Sequence, residues 1–346
     1  MFSKIKNKVE QELPKFLRDI DKCYSLSKLS PVLFKNIQEF VLRDGKRIRP
    51  VLFIIGYLGF RKNAAAGLYT SALSLELLHD FMLVHDDIID KSATRRGKPS
   101  LHIKLERYLK GFSKIKFNGQ DLAIVIGDVM YAAGIHAFLC VQENQAAKER
   151  ALKKFIEAAV HTGVGEFIEL LAGAKDISAI RKEEIYRIYD YKTASYSFAS
   201  PLASGAILAG ASNQEADKLF KYGIYLGRAF QIKDDILGTF GNESKIGKST
   251  LTDLKEAKKT ILIWYAFRQA DKRDKSLIRK ILAKNNAGKK DLLAIRRIIL
   301  ETAALNYAQD QISSLIKKAE ELILSSSMHR KYCQALHSYT CGLLKA

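Results

Sequence analysis

Beyond Pro201 the chain runs to Ala346 without another proline. A proline ring removes a backbone donor and clashes with the turn before it, so its absence leaves helices free to run long. Apolar residues in this region keep the helical period: Ile312, Leu315, Ile316, Ala319, Leu322 and Ile323 fall on one stripe. Short alternating runs joined by tight turns are not evident, and neither is an internal repeat. The chain therefore reads as an all-α bundle of long helices. Its 346 residues, 47% hydrophobic, can bury one large core, and no break in composition asks for a second domain over 1–346. One stretch, Lys91 to Gln120 with RRGKPS and KGFSKIKFNGQ, reads as loop.

The charge is one-sided: 57 Lys and Arg against 37 Asp and Glu, net +20. Such a surplus suits a polyanion, whether nucleic acid, an anionic membrane or a phosphorylated small molecule, or else is a solvated lysine-rich surface. Cys23, Cys140, Cys333 and Cys341 are scattered, without a CxxC pair, as in a reduced cytoplasmic protein. The N-terminal MFSKIKNKVEQELPKFL lacks the apolar run of a signal peptide. The longest apolar run, Val51 to Phe60, is too short to span a bilayer. A soluble chain is expected.

HDDIIDKSATRRGKP, His85 to Pro99, puts three carboxylates in five positions and two adjacent arginines shortly after. On a helix Asp86 and Asp90 stand one turn apart, with Asp87 beside Asp90. Extending the stripe back reaches Met82 and His79, so polar, apolar and acidic positions follow one another as in a cavity wall. Clustered carboxylates suit a hard cation, and Mg²⁺ takes one or two of them, keeps waters and bridges to phosphate. A solvated helix end is the other reading.

A second cluster, FQIKDDILG (Phe230 to Gly238), has Gln231 one turn before Asp235. GKSTLTDLKEAKKT follows with Lys248, Lys258 and Lys259, and DGKRIRP upstream carries Lys46, Arg47 and Arg49. Acidic and basic clusters in alternation describe a site where metal ions and cations share several phosphates.

These motifs, GKRIRP, LLHDFMLVHDDIIDKSATRRGKP, YKTAS, FQIKDDILG and GKSTLTDLKEAKKT, resemble those of the trans-prenyl diphosphate synthases in order and spacing, from residue 45 to about 260. The resemblance implies the isoprenoid synthase fold, long helices around a deep central cavity, in a homodimer. It implies that Asp86, Asp87 and Asp90, with Asp234 and Asp235, hold Mg²⁺, three ions per site, with Mn²⁺ as a substitute. Arg95, Lys192, Lys248 and Lys258 would contact the allylic diphosphate, and Lys46, Arg49, His79 and Arg96 would hold isopentenyl diphosphate. Thr193 and Gln231 would shape the place where the new bond forms. The implied reaction joins isopentenyl diphosphate head to tail to an allylic diphosphate, with released pyrophosphate as base. His85, beside Asp86, is then read as packing or as a support behind the ligands.

Two positions depart from the family. Gly238 stands where many relatives carry a third aspartate, and GEFIE (Gly165 to Glu169) replaces GQxxD. Glu166 and Glu169 are read either as supporting acids or as a solvated face. By resemblance, Phe81 and Met82 before the first motif close the cavity floor, which implies a C20 geranylgeranyl product, with C15 farnesyl as the alternative. Two other classes are weighed. A terpene cyclase would share DDxxD but not the second diphosphate site, and a basic nucleic-acid- or membrane-binding protein would have no use for two acidic clusters. Nucleic acid is not expected as a partner. Lys104 to Lys116 is read as a solvated loop that could touch an anionic surface.

Overall fold

The computed structural model describes residues 1–241 and 250–345, with side chains as far as Gly342. Among them every long element is helical, and the only β structure is one hairpin of two-residue strands. Two compact units form: Met1–Lys153 with Ser204–Ala211, and Lys154–Ala203 with Ser212–Ala346.

The first unit contains α1 (Phe2–Tyr24), α2 (Pro31–Val41), α3 (Ile48–Leu58), α4 (Leu68–Ile89), α5 (Leu101–Leu109) and α6 (Gly119–Leu139). In α1 the buried residues Ile5, Val9, Leu13, Phe16, Leu17 and Ile20 recur every three or four positions, the stripe of a helix lying on a core. By contrast α3 is buried from Pro50 to Tyr57 and α4 from Ser71 to Leu78 without a break. A helix apolar all round belongs inside, and α4 is wrapped by its neighbours. It starts at Gly67, whose φ is 76° and where a Cβ would lie 2.2 Å from the Cys140 carbonyl oxygen, so only glycine fits. α6 starts at a capping box: Asn118 accepts from the backbone of Gln120 and Asp121, and Asp121 accepts from the backbone of Asn118. By length and composition α6 could cross a membrane, but it packs along α4 and α5.

The segment expected to be loop is more ordered than that. Strand β1 (Thr94–Arg95) pairs antiparallel with β2 (Lys98–Pro99), and Arg96 and Gly97 between them both have positive φ, 53° and 71°. That is the backbone of a two-residue type I′ turn. Strands this short leave no alternation to read in sequence. Helix α5 follows, burying Leu101, His102, Leu105 and Leu109 on one face.

The second unit holds most of α7 (Gln145–Ala174), then α8 (Lys182–Ile188), a π-helical segment Tyr189–Ala199, α9 (Ser200–Leu208, shared with the first unit) and α10 (Asn213–Phe240). After these come α11 (Ile261–Gln269), α12 (Lys272–Leu282), α13 (Lys289–Glu301), α14 (Ala304–Leu324) and α15 (Arg330–Lys345). Ser212, Thr260 and Asp271 cap α10, α11 and α12 with their side chains. Ile188, Tyr189, Ile232, Ile261, Ile298 and Ile316 share its core. The α14 stripe is buried as read, except that Leu322 is half-buried. π-Helical turns are rare and gather at functional sites.

Candidate active site

In the first unit, α4 ends on the aspartates. Asp86 and Asp90 are half-buried, with carboxylate oxygens within 4.8 Å of each other, whereas Asp87 is 1% exposed. Arg95 reaches back from β1: its Nε donates to Asp87 Oδ1 at 2.7 Å and its Nη2 to Asp86 Oδ2 at 3.2 Å. Burial pushes the Asp87 carboxyl up to about 6 against the pull of Arg95. Arg95 therefore engages both Asp86 and Asp87, and the two differ in burial: Asp87 is inside, whereas Asp86 and Asp90 are half-buried.

Arg96, next in the chain, goes elsewhere. Its Nη2 lies 3.7 Å from Glu76 Oε1 and 3.7 Å from Asp80 Oδ1, two buried carboxylates one turn apart on α4. Among the described residues Arg96 Nη1, Glu76 Oε2 and both Asp80 oxygens are buried without a hydrogen-bond partner. Burial and the neighbouring Glu76 raise Asp80 well above the usual carboxylate range, against Arg96, Arg47 and Arg49. The hairpin explains the divergence, since Arg95 is the last residue of β1 and extended, whereas Arg96 is the first residue of the turn, with φ 53°.

Arg43 fixes this hairpin, donating to the carbonyls of Arg95 at 3.4 Å and Pro99 at 3.2 Å. Arg47 is 2% exposed and donates to Glu76 at 2.5 Å, to Glu10 at 2.8 Å and to the carbonyls of Val41 and Arg43. It is internal framework, flanked by exposed Lys46 and half-buried Arg49. His79 is held well below its usual range by burial and by the Arg49, Arg96, Arg95 and Arg47 guanidiniums, so its imidazole is neutral. Phe81 packs its ring 4.5 Å from that of His85 and 5.2 Å from that of Tyr131 on α6, and Met82 beside it is half-buried. His85 is a packing residue, with Nε2 3.6 Å from Asp128.

In the second unit the two aspartates of the second motif divide in the same way. Asp234 is half-buried, while Asp235 is 4% exposed and both its oxygens accept hydrogen bonds. The Tyr189 hydroxyl donates to Oδ2 and Gln231 Nε2 donates to Oδ1 at 2.9 Å. Gln231 Oε1 in turn accepts from Thr193 at 2.8 Å, and the Ile261 backbone N–H donates to the Tyr189 oxygen at 3.0 Å. Burial, with Asp253 nearby, pushes Asp235 up to about 8 in spite of these bonds.

Lys192, on the π-helical segment, places its ammonium against Glu166 at 2.6 Å and against Glu169. Both acids of GEFIE thus meet a lysine instead of standing on a solvated face. Gly165 permits this, because a Cβ there would lie 2.4 Å from the Lys192 backbone nitrogen. At Gly238 a Cβ would come within 2.6 Å of Asp253 Oδ2, so the glycine leaves room for a carboxylate from further along the chain. Lys258 lies 2.7 Å from Glu256 and 3.8 Å from Asp253. Lys259 is buried and donates to the carbonyls of Gly173 at 2.9 Å and Ala257 at 2.8 Å, a structural tie. Lys248 lies outside the described residues.

Arg43, Glu76, Asp80, Tyr189 and Asp253 escaped the sequence reading. For Glu76 and Asp80 a signal existed: with Asp87 they form an acidic stripe along one face of α4.

Paired aspartates at helix ends, with guanidinium and ammonium groups around them, define a diphosphate-handling helical enzyme. The polyprenyl synthetase family matches residues 30–299, and the chain belongs to that family; it is a prenyltransferase. The short chain isoprenyl diphosphate synthase of Methanocaldococcus jannaschii is 30% identical over 82% of this chain and 77% of its own. The geranylgeranyl diphosphate synthase of Saccharolobus solfataricus is 32% identical over 85% of this chain and 83% of its own. The crystal structure of geranylgeranyl pyrophosphate synthase from Corynebacterium glutamicum, complexed with isoprenyl diphosphate and magnesium, matches with a TM-score of 0.90 at 27% identity, over 100% of this chain and 99% of that one. The fold is that of the isoprenoid synthases, as the motifs imply.

Proposed function

We propose that this protein condenses isopentenyl diphosphate with allylic diphosphates in the presence of Mg²⁺ and releases geranylgeranyl diphosphate. The observation that carries the reading is the hairpin after α4, whose adjacent Arg95 and Arg96 serve different carboxylate pairs. Two anionic substrates need two such cationic positions.

Asp86 and Asp90 would hold metal, and so, in the second motif, would Asp234; half-buried carboxylate oxygens fit a hard cation that keeps waters and bridges to phosphate. When bound, Mg²⁺ neutralises the charge that develops on departing pyrophosphate. Three ions per site, replaceable by Mn²⁺, is the family pattern carried over on the matching aspartates. Asp87 and Asp235 act at one remove, orienting Arg95 and Gln231. Arg95, Lys192, Lys248 and Lys258 bind the allylic diphosphate, and Lys46, Arg49, His79 and Arg96 bind isopentenyl diphosphate. A neutral His79 serves as a hydrogen-bond donor among guanidiniums. Because Asp235 fixes the Gln231 amide, its carbonyl takes the Thr193 proton and leaves the Thr193 oxygen lone pairs for a developing allylic cation. The isopentenyl double bond attacks that cation, and pyrophosphate takes the proton lost as the new alkene forms.

The Phe81, His85 and Tyr131 rings, with Met82, support a closed floor suited to a C20 chain. The homodimer reading rests on α7, where Ile156, Val160, Val164, Phe167 and Leu171 expose one apolar stripe at 41–63%. The family match runs through both units, which supports one domain over 1–346. Cytoplasmic placement rests on the scattered thiols, and peripheral membrane contact on the basic surface and an apolar product. Asp86→Ala tests the whole reading: condensation is abolished with helical content unchanged, and full activity would overturn it.

A further inference from the structure

We propose that Glu320, His337 and Cys341 form a binding site for a zinc-class dication, which ties α15 to α14. His337 and Cys341 stand four residues apart on α15 and so share a face. Glu320 reaches them from α14. Cys341 Sγ lies 3.2 Å from Glu320 Oε1 and 3.7 Å from His337 Nε2, and His337 Nδ1 lies 3.6 Å from the same Glu320 oxygen. One donor atom from each residue falls within 4.8 Å of the other two. Tetrahedral zinc, bonded to sulfur, nitrogen and oxygen at its usual lengths, sets such donors about 3.3–3.6 Å apart. Cys341 faces Nε2 and Glu320 faces Nδ1, whereas zinc takes one nitrogen per imidazole, so the His337 ring turns to close the set with the backbone in place.

The donor set selects the metal. Thiolate and imidazole favour Zn²⁺, Co²⁺ or Ni²⁺ over the Mg²⁺ that suits carboxylates alone. No other cluster among the described residues joins a thiol, an imidazole and a carboxylate. The site shares no residue with the diphosphate-binding set. His337 Nδ1 is buried without a hydrogen-bond partner, as a nitrogen awaiting a ligand would be, while the Glu320 and His337 side chains keep 28% and 40% exposure and leave a fourth position open to water. Binding converts the Cys341 thiol to thiolate and releases its proton to solvent, so affinity rises with pH.

The test uses the full chain, stripped with chelator and held in excess Mg²⁺ to occupy the aspartates. Titrated Co²⁺ binds one equivalent with a thiolate-to-cobalt charge-transfer band, which Zn²⁺ then displaces. Cys341→Ser abolishes the band, His337→Ala weakens binding about tenfold or more, and Zn²⁺ raises the melting temperature of wild type but not of Cys341→Ser. A variant in which Cys23, Cys140 and Cys333 are serine keeps the band, and decides the matter if Cys341→Ser does not fold. No thiolate band in wild type, or a band lost from the variant that retains only Cys341, overturns the site.

Discussion

The Tyr189 hydroxyl donates to Asp235 and accepts from the Ile261 backbone, so one buried phenol joins the second aspartate motif to the start of α11. Asp235 then holds Gln231, and Gln231 holds Thr193. In a protein interior such a chain acts as a unit, since each bond fixes the orientation of the next.

Tyr189→Phe keeps the ring and removes both bonds. It leaves the Asp235 oxygen and the Ile261 N–H short of a partner, at a cost of about 1–3 kcal/mol. Steady-state kinetics should show kcat falling about tenfold with KM for isopentenyl diphosphate unchanged. A wild-type kcat would remove Tyr189 from the account.

Arg96→Lys and Arg95→Lys should separate the two substrates. Lysine keeps the charge and loses the planar fork. For Arg96→Lys the KM for isopentenyl diphosphate rises about tenfold and that for the allylic substrate holds, and for Arg95→Lys the order reverses. Identical effects of the two changes on both substrates would contradict the division of the hairpin.

Phe81→Ala should lengthen the product. The change removes the ring that packs on His85 and Tyr131, and opens the floor by most of an aromatic side chain. Chromatography of the dephosphorylated alcohols reads the outcome, and an unchanged chain-length profile would dismiss Phe81 as the floor.

Phe167→Glu places a charge in the middle of the exposed α7 stripe, where Phe167 is 63% exposed. Light scattering should show wild type as a dimer and the variant as a monomer with helical content intact. A variant that stays dimeric would exclude the stripe as the interface.

A pH effect is expected at Glu215, in the first turn of the helix whose other end carries Asp234 and Asp235. Burial raises its carboxyl, but Lys218 at 2.7 Å, Ser326 at 2.6 Å and the Ser327 N–H at 3.0 Å outweigh that and hold it below the ordinary value of 4.5. A carboxylate depressed in the folded state stabilises fully above its unfolded value, and that stability is lost as pH falls through the folded value. Glu215→Gln should therefore cost about 1–2 kcal/mol at neutral pH and converge with wild type in acid. Urea unfolding at the two pH values measures it; a gap that widens in acid would reverse the sign.

Much of the site was legible because it is local. Asp86 to Asp90 and Arg95 with Arg96 lie within a dozen residues, and helical spacing alone puts Asp86 and Asp90 on one stripe. Which acid faces inward was not legible: burial of Asp87 and Asp235 depends on what packs against α4 and α10. Arg47 and Lys259 look like substrate cations in sequence, yet Glu76 and backbone carbonyls claim them from distant segments. Asp253 opposite Gly238 is of the same kind, a carboxylate brought by the fold to a position where the motif has no side chain. The loop assigned to Lys91–Gln120 hid a hairpin because two-residue strands carry no period.

The most direct test of the central claim is to incubate the purified protein with labelled isopentenyl diphosphate, Mg²⁺ and, in turn, the C5, C10 and C15 allylic diphosphates, and to size the dephosphorylated products. Elongation should end at a C20 alcohol and stop when the divalent ion is chelated. Folded protein that elongates none of the three starters would contradict the claim.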